Sequence, residues 1–173
     1  MTVTQPGVGP GTLIFMCGKM AAGKTTLARR LADEHHGVLL AQDELLERLY
    51  PGEFVDFAAF VERSAQLRAA LAPHIVALLE LGLLVILDFP GNTRGARAWF
   101  RELFDRAGAH HELHLINASD ELCKRQLKAR SLAQGLAAGA KWTTSQDFAE
   151  VTSYFDPPSE AEQFNVIVHQ RPG

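Results

Sequence analysis

Lys24 and Thr25 close the octapeptide Gly18-Lys19-Met20-Ala21-Ala22-Gly23-Lys24-Thr25, which fits G-x-x-x-x-G-K-S/T. A loop of this composition binds phosphate. Its glycines let backbone N–H groups from Gly18, Met20, Ala21, Ala22 and Gly23 turn inward around phosphate oxygens. A helix starting at its end adds a favourable partial charge. The Lys24 ammonium suits the β- and γ-phosphates of ATP, and the Thr25 hydroxyl suits Mg²⁺. Thr26 is placed for the α-phosphate.

Two aspartates stand at strand ends. Asp43 follows the apolar residues 38–41 by one position, and Asp88 follows residues 83–87 directly. In open α/β sheets the ligand crevice lies beyond the carboxyl ends of the strands, so both fall on the phosphate side. One carboxylate can take a proton from an acceptor hydroxyl, and the other can position Mg²⁺ through water. A helix-capping role for Asp43 and a turn-forming role for Asp88 are the structural alternatives. Lys124, Arg125, Lys128 and Arg130 then lead into a glycine-bearing segment, about 131–145, that suits a lid. Arg125 and Arg130 are the cations expected at the equatorial oxygens of a transferring phosphoryl group, because a guanidinium binds in bidentate fashion. Five residues apart, they do not share a helix face, which puts Arg130 at a frayed end or in the lid. A solvated basic face is the competing reading.

An acceptor is expected between Asp43, residues 53–68 and the loop after Asp88. Arg63, Arg68 and Asn92 offer polar orientation there. Tyr50, Phe54, Phe57 and Phe60 offer stacking walls, or simple core packing. Arg94 and Arg97, near the start of the next helix, read as surface charge, with a phosphate-facing role as the alternative. Trp142 falls in the lid, and the histidines show no metal-ligand spacing.

Short apolar runs must position these groups. They predict strands at 13–17, 38–41, 83–87, 112–116 and 164–168. Helical periodicity predicts helices at 24–36, after Asp43, at 57–81 with a kink at Pro73, at 93–107, from Ser119 onward and at 145–155. Residues 89–92 and 132–144 read as loops. Strands alternating with helices predict an α/β fold, an open parallel sheet covered on both faces. Residues 1–11 are expected to fray, and 12–173 to form one domain.

With 173 residues, the chain can bury roughly two-thirds of its unfolded surface without staples. Its net charge of -3 gives no overall reason for a polyanion partner. Its two cysteines, Cys17 and Cys123, make neither a disulfide framework nor a zinc site. No apolar run reaches the ~20 residues that span a bilayer, and the first residues lack signal-peptide character. The expectation is a soluble, cytoplasmic protein with no membrane or obligate protein partner.

These residues carry a resemblance. GKMAAGKTT (18–26), Asp43 in LLAQDELLERL, Asp88 in VILDFPGNT, the arginines of CKRQLKARS (123–131) and FDPPSEAE (155–162) are its matching elements. The chain resembles the small P-loop kinases related to zeta toxin, chloramphenicol phosphotransferase, gluconate kinase and the kinase domain of polynucleotide kinase. It is also similar to AAA-family ATP-binding proteins. The resemblance covers nearly the whole chain from Leu13. It implies a three-layer α/β/α sandwich with five parallel strands in order 2-3-1-4-5 and Mg-ATP as donor. It further implies Asp43 as the acceptor's general base and Arg125 and Arg130 as lid arginines. Many relatives carry an arginine three residues after that aspartate; here Leu46 stands there and Arg48 is displaced. That speaks against an acceptor bearing a 3′-phosphate, such as an oligonucleotide. The expected activity is transfer of the γ-phosphoryl group of ATP to a hydroxyl of a small molecule. The alternatives are a nucleotide-binding switch or regulatory ATPase, and a polynucleotide or nucleoside 5′-hydroxyl kinase. Asp88-Phe89-Pro90-Gly91 fits the D-x-x-G element of GTPases, but Asn117-Ala118-Ser119-Asp120 lacks the lysine of N-K-x-D.

Overall fold

A computed structural model gives the fold and describes residues 9–51, 57–133 and 144–171, with the Phe57 side chain left aside. Five strands form one sheet: β1 (Thr12–Cys17), β2 (Val38–Ala41), β3 (Leu84–Pro90), β4 (His110–Ala118) and β5 (Val166–Arg171). All pairings are parallel, in the order β2-β3-β1-β4-β5. The helices are α1 (Lys24–His35), α2 (Gln42–Leu49), α3 (Phe57–Glu80), α4 (Arg94–Ala107), α5 (Asp120–Ala133) and α6 (Ser145–Ser153). Alternate residues of β1 explain the layers. Leu13, Phe15 and Cys17 pack with α3 and α4 on one face, through Leu67, Ile75, Leu79, Phe100 and Phe104. Ile14 and Met16 pack with α1, α5 and α6 on the other, through Leu27, Leu31, Cys123, Leu127 and Phe148. A strand buried on both faces reads as a continuous apolar run, which is why β1 was legible.

The strand ends differ from expectation where polar residues continue a strand. β3 runs on through Asp88, Phe89 and Pro90 instead of stopping before a loop. Asp88 still pairs with Ala41 of β2, while the β1–β3 register shifts between Phe15 and Met16, so that Met16 faces Pro90. This bulge gives β3 an extra turn of direction at the residue that faces the phosphate loop. β4 is longer than residues 112–116, and β5 begins at Val166 but extends to Arg171. An edge strand needs backbone pairing rather than apolar side chains, so His169, Gln170 and Arg171 pair with Ile116, Asn117 and Ala118. Gly11, placed in the fraying N-terminus, is instead buried, with its N–H donating to Leu79 O at 3.2 Å. α6 ends at Ser153, and its start is fixed by a capping box between Thr144 and Asp147. α5 continues to Ala133, so only residues 134–143 of the expected lid, with Trp142 among them, lie outside the described residues.

Arg97 corrects a further expectation. It is fully buried rather than a surface charge. It lies on the apolar face of α4, three residues before Phe100 and seven before Phe104, and carries its guanidinium beneath the segment 156–162. Nε and Nη2 donate to the Glu162 carboxylate at 2.7 and 2.9 Å, and Nη1 donates to Gly91 O at 3.0 Å and Asp156 O at 2.6 Å. The Arg97 bond and the Ser159 N–H hold Glu162 at a pKa of about 2. Arg97→Ala leaves the half-buried Glu162 carboxylate and two carbonyls without their partner, so stability falls by about 3 kcal/mol. Arg97→Lys recovers little of it, because an ammonium lacks the fork. Denaturant titration of both variants checks this. The Glu162 contribution is complete above the ordinary glutamate pKa and is lost as pH falls toward about 2. The variants should therefore lose the wild type's steep decline in stability below about pH 4.5.

Candidate functional site: a phosphate loop facing two carboxylates

The loop between β1 and α1 has the backbone that phosphate binding requires. Ala21 and Gly23 lie in the left-handed region, at φ 56° and 103°, and Gly23 forms the N-terminal boundary of α1. Of the N–H groups expected to face phosphate, that of Gly18 donates to Asn92 Oδ1 at 2.9 Å and that of Ala22 donates to Lys19 O at 3.2 Å, so these two are engaged within the protein. Lys24 Nζ folds back over the loop and donates to Gly18 O at 2.7 Å and Lys19 O at 2.8 Å. Burial pulls its pKa down, while Asp88, Cys17 and Asp43 push it up. Lys19 pairs with Asp120 of α5 at 2.5 Å. Met20 and Ala21 pack against the α1–α5 core, while Thr25 and Thr26 are exposed at the helix start.

The two aspartates converge on this loop. Burial raises the pKa of the Asp88 carboxyl, opposed by the neighbouring Thr25 hydroxyl and by Lys24. Asp43 lies in the first turn of α2 rather than at its cap, which is Ala41. It is exposed at the mouth of the cleft, yet the protein crowded around its carboxyl, and then Asp88, push its pKa up. Lys24 and Arg130 pull it down. The Thr25 hydroxyl and the Asp88 carboxylate are hard oxygen donors side by side, a set that suits Mg²⁺.

The remaining candidates separate. Arg130 lies in the last turn of α5, not beyond it, and its charge reaches Asp43. Arg125 is exposed on the same helix and does not figure among the charges acting on Asp43. Lys124 covers the Phe148 ring at 5.4 Å, a packing role. Asn92 spends its Oδ1 on the Gly18 N–H at 2.9 Å, so it holds the phosphate loop. Arg63 lies over the Tyr50 ring at 4.6 Å. Arg68 faces an open cleft between α3 and α4. Phe60 packs against the core; Phe54 lies outside the described residues.

Two residues escaped the sequence reading. Arg171 Nη1 donates to Ala22 O at 2.9 Å. Gln126 of α5, with its carboxamide turned to suit both neighbours, donates to Ala21 O at 2.8 Å and accepts from Arg171 Nη2 at 3.2 Å. Arg171 was hidden because an apolar pattern marks β5 only as far as Val168. Period-two alternation along Ile167, His169 and Arg171 is the signal that finds it.

Fold and site together define a P-loop kinase-like protein. The chain belongs to the AAA domain family, whose profile matches residues 13–158. No curated protein matches the sequence. Among solved structures, a protein from Chloroflexus aurantiacus J-10-fl is 22% identical, with a TM-score of 0.72 over 95% of this chain and 87% of that one. The Mycobacterium tuberculosis APS kinase CysC, in complex with AMPPNP and APS, is 19% identical, with a TM-score of 0.60 over 93% and 88%. Chaetomium thermophilum Kti12, in complex with ADP-AlF3, is 18% identical, with a TM-score of 0.65 over 91% and 88%. At these identities the likeness is one of fold. Among the described residues no helix is long and apolar enough to cross a membrane.

Asn92→Ala removes the tether on the Gly18 N–H while leaving Lys24 and Thr25 in place. The loss of one hydrogen bond, about 1 kcal/mol, should weaken ADP binding by roughly threefold to tenfold in calorimetric titration.

Proposed function

We propose that this protein transfers the γ-phosphoryl group of ATP to a hydroxyl of a small molecule. The observation that carries the reading is the convergence of Asp43 and the Thr25–Asp88 pair on Lys24. A pure phosphate-binding loop has no use for a second, strand-end carboxylate with a raised pKa. The backbone of 18–25 and the Lys24 ammonium bind the donor phosphates. Lys24 exchanges its bonds to Gly18 O and Lys19 O for phosphate oxygens. Thr25 and Asp88 would hold Mg²⁺, which supplies charge neutralisation at the β- and γ-phosphates.

Asp43 accepts the proton of the acceptor hydroxyl as its oxygen bonds to the γ-phosphorus. The bond from that phosphorus to the β–γ bridging oxygen breaks, and ADP leaves. Arg130 neutralises charge on the equatorial oxygens, with Arg125 behind it on α5. Catalysis of this kind rests on positioning and electrostatics. A nucleotide-driven switch with no acceptor would show hydrolysis alone.

Mass spectrometry of a metabolite pool incubated with γ-¹⁸O-labelled ATP and Mg²⁺ separates these readings. A labelled phosphoryl adduct is expected with the wild type and not with Asp43→Asn, which should keep its affinity for ATP. Label found only in free phosphate would overturn the transferase. The base must be ionised to act, so kcat/KM should rise with pH. Because burial and then the Asp88 charge push the Asp43 pKa up, the midpoint should lie above the ordinary aspartate range. A pH–rate profile measures it.

A further inference from the structure

The arginines near the open end of the sheet are mostly engaged. Arg29 bonds Glu44, Arg94 pairs with Asp156 at 3.2 Å, Arg97 pairs with Glu162, and Arg63 covers Tyr50. Arg125 and Arg130 stand exposed on α5, whereas Arg68 is drawn partly into the protein. It is half-buried, and among the described residues no carboxylate lies within salt-bridge distance of it. Its guanidinium lies beside the Trp99 ring, with Cζ 5.9 Å from the centroid. Taking a guanidinium partly out of water without a counter-ion is unfavourable, and burial accordingly lowers the pKa of Arg68. A charge kept in that condition beside a cavity is suited to an incoming anion.

The cavity is there. A cleft of about 440 Å³ lies between α3 and α4, lined by Arg68, Thr93, Gly95, Trp99 and the alanines 65, 69 and 96. That volume suits a metabolite-sized ligand. Its walls are small side chains, which keep it open, with one ring and one cation as the specific features. A Cβ added at Gly95 would have no atom within 4 Å. Thr93 follows Asn92, whose side chain bonds Gly18 of the phosphate loop. One wall of the cleft is thus the start of α4, next along the chain from the residue that holds the phosphate loop.

We propose that the hydroxyl acceptor is a small acid, held by its anionic group on Arg68 and by an apolar face on Trp99 in the α3–α4 cleft. This rests on the phosphotransferase reading and narrows it. Arg68 is a specificity residue: it binds a group that does not react, and Asp43 meets the hydroxyl that does. A neutral polyol or amide leaves the guanidinium without a partner and is discriminated against.

The test uses the full chain with ADP or γ-¹⁸O-labelled ATP and a panel of hydroxy compounds in matched pairs. Each pair sets a carboxylate, sulfate or phosphate against its neutral counterpart, such as gluconate against glucitol, pantothenate against panthenol and glucose 6-phosphate against glucose. Binding is read by ligand-observed NMR and transfer by mass spectrometry. Acid members should bind and take label in preference to their neutral partners. Arg68→Gln should raise KM for the best acid by roughly 10- to 100-fold, with kcat nearly held, and Arg68→Lys should recover part of the loss. Gly95→Leu places a good helix former in α4 while filling the cleft, so it should abolish acid binding without unfolding the chain. If neutral members take label as readily as acids, the transferase stands and the acid site falls. If acids bind through Arg68 but no label moves, the site stands and the transferase falls. If no acid binds, or Arg68→Gln leaves KM unchanged, the proposal is overturned.

Discussion

The architecture of the site depends on one buried cation. Arg97 is sealed from solvent with its guanidinium bonded to a carboxylate and two carbonyls. Gly91 O ties it to the end of β3, and Asp156 O and Glu162 tie it to the segment that returns toward β5. Asp156 N–H donates to Asn92 O at 2.8 Å, and Asn92 Oδ1 holds Gly18. A single side chain thus connects the return segment, the β3 end and the first residue of the phosphate loop. Burying a charge this deeply is favourable only when every donor is satisfied. The arrangement is consequently close to all-or-none, which keeps the backbone around Asp88 and Gly18 in one geometry before any ligand arrives.

A second network lies in front of it. Lys24, Asp88 and Asp43 perturb one another at close quarters, with Arg130 acting on Asp43 from α5. Burial drives the ammonium pKa down and the carboxylate pKa values up, so each group resists its charged form. Lys24 meets this by bonding to loop carbonyls. Phosphate oxygens are stronger partners for an ammonium than carbonyls are. Donor binding accordingly strengthens the ionised state of Lys24, while the negative charge it brings favours proton uptake by Asp43.

How much of this was written legibly follows from which forces set each feature. Strand order, strand centres and the phosphate loop depend on apolar runs and on a glycine-lysine pattern, both local in sequence. Asp43 and Asp88 were found because strand ends point to the ligand side. Arg97 was misread because a lone arginine on a helix is usually solvated. Its partner Glu162 lies 65 residues away, and nothing local marks the pair. Arg171 was missed for a related reason: edge strands continue by backbone pairing, which apolar patterning does not register. Asn92 was singled out, but for an acceptor; its bond to Gly18 spans 74 residues and emerges only from the packing of β1 beside β3.

The phosphate loop and the neighbourhood of Asp43 are joined by α5. Gln126 sits on the outer carbonyl of Ala21 and on Arg171, Lys19 pairs with Asp120 at the helix start, and Arg130 reaches toward Asp43 from its last turn. Gln126 and Arg130 are four residues apart and so share a face of the helix. A rigid helix anchored at both Asp120 and Gln126 on the phosphate loop fixes where its final turn can place a cation. The same helix that holds the phosphate loop through Asp120 and Gln126 therefore also sets where the Arg130 charge stands relative to Asp43.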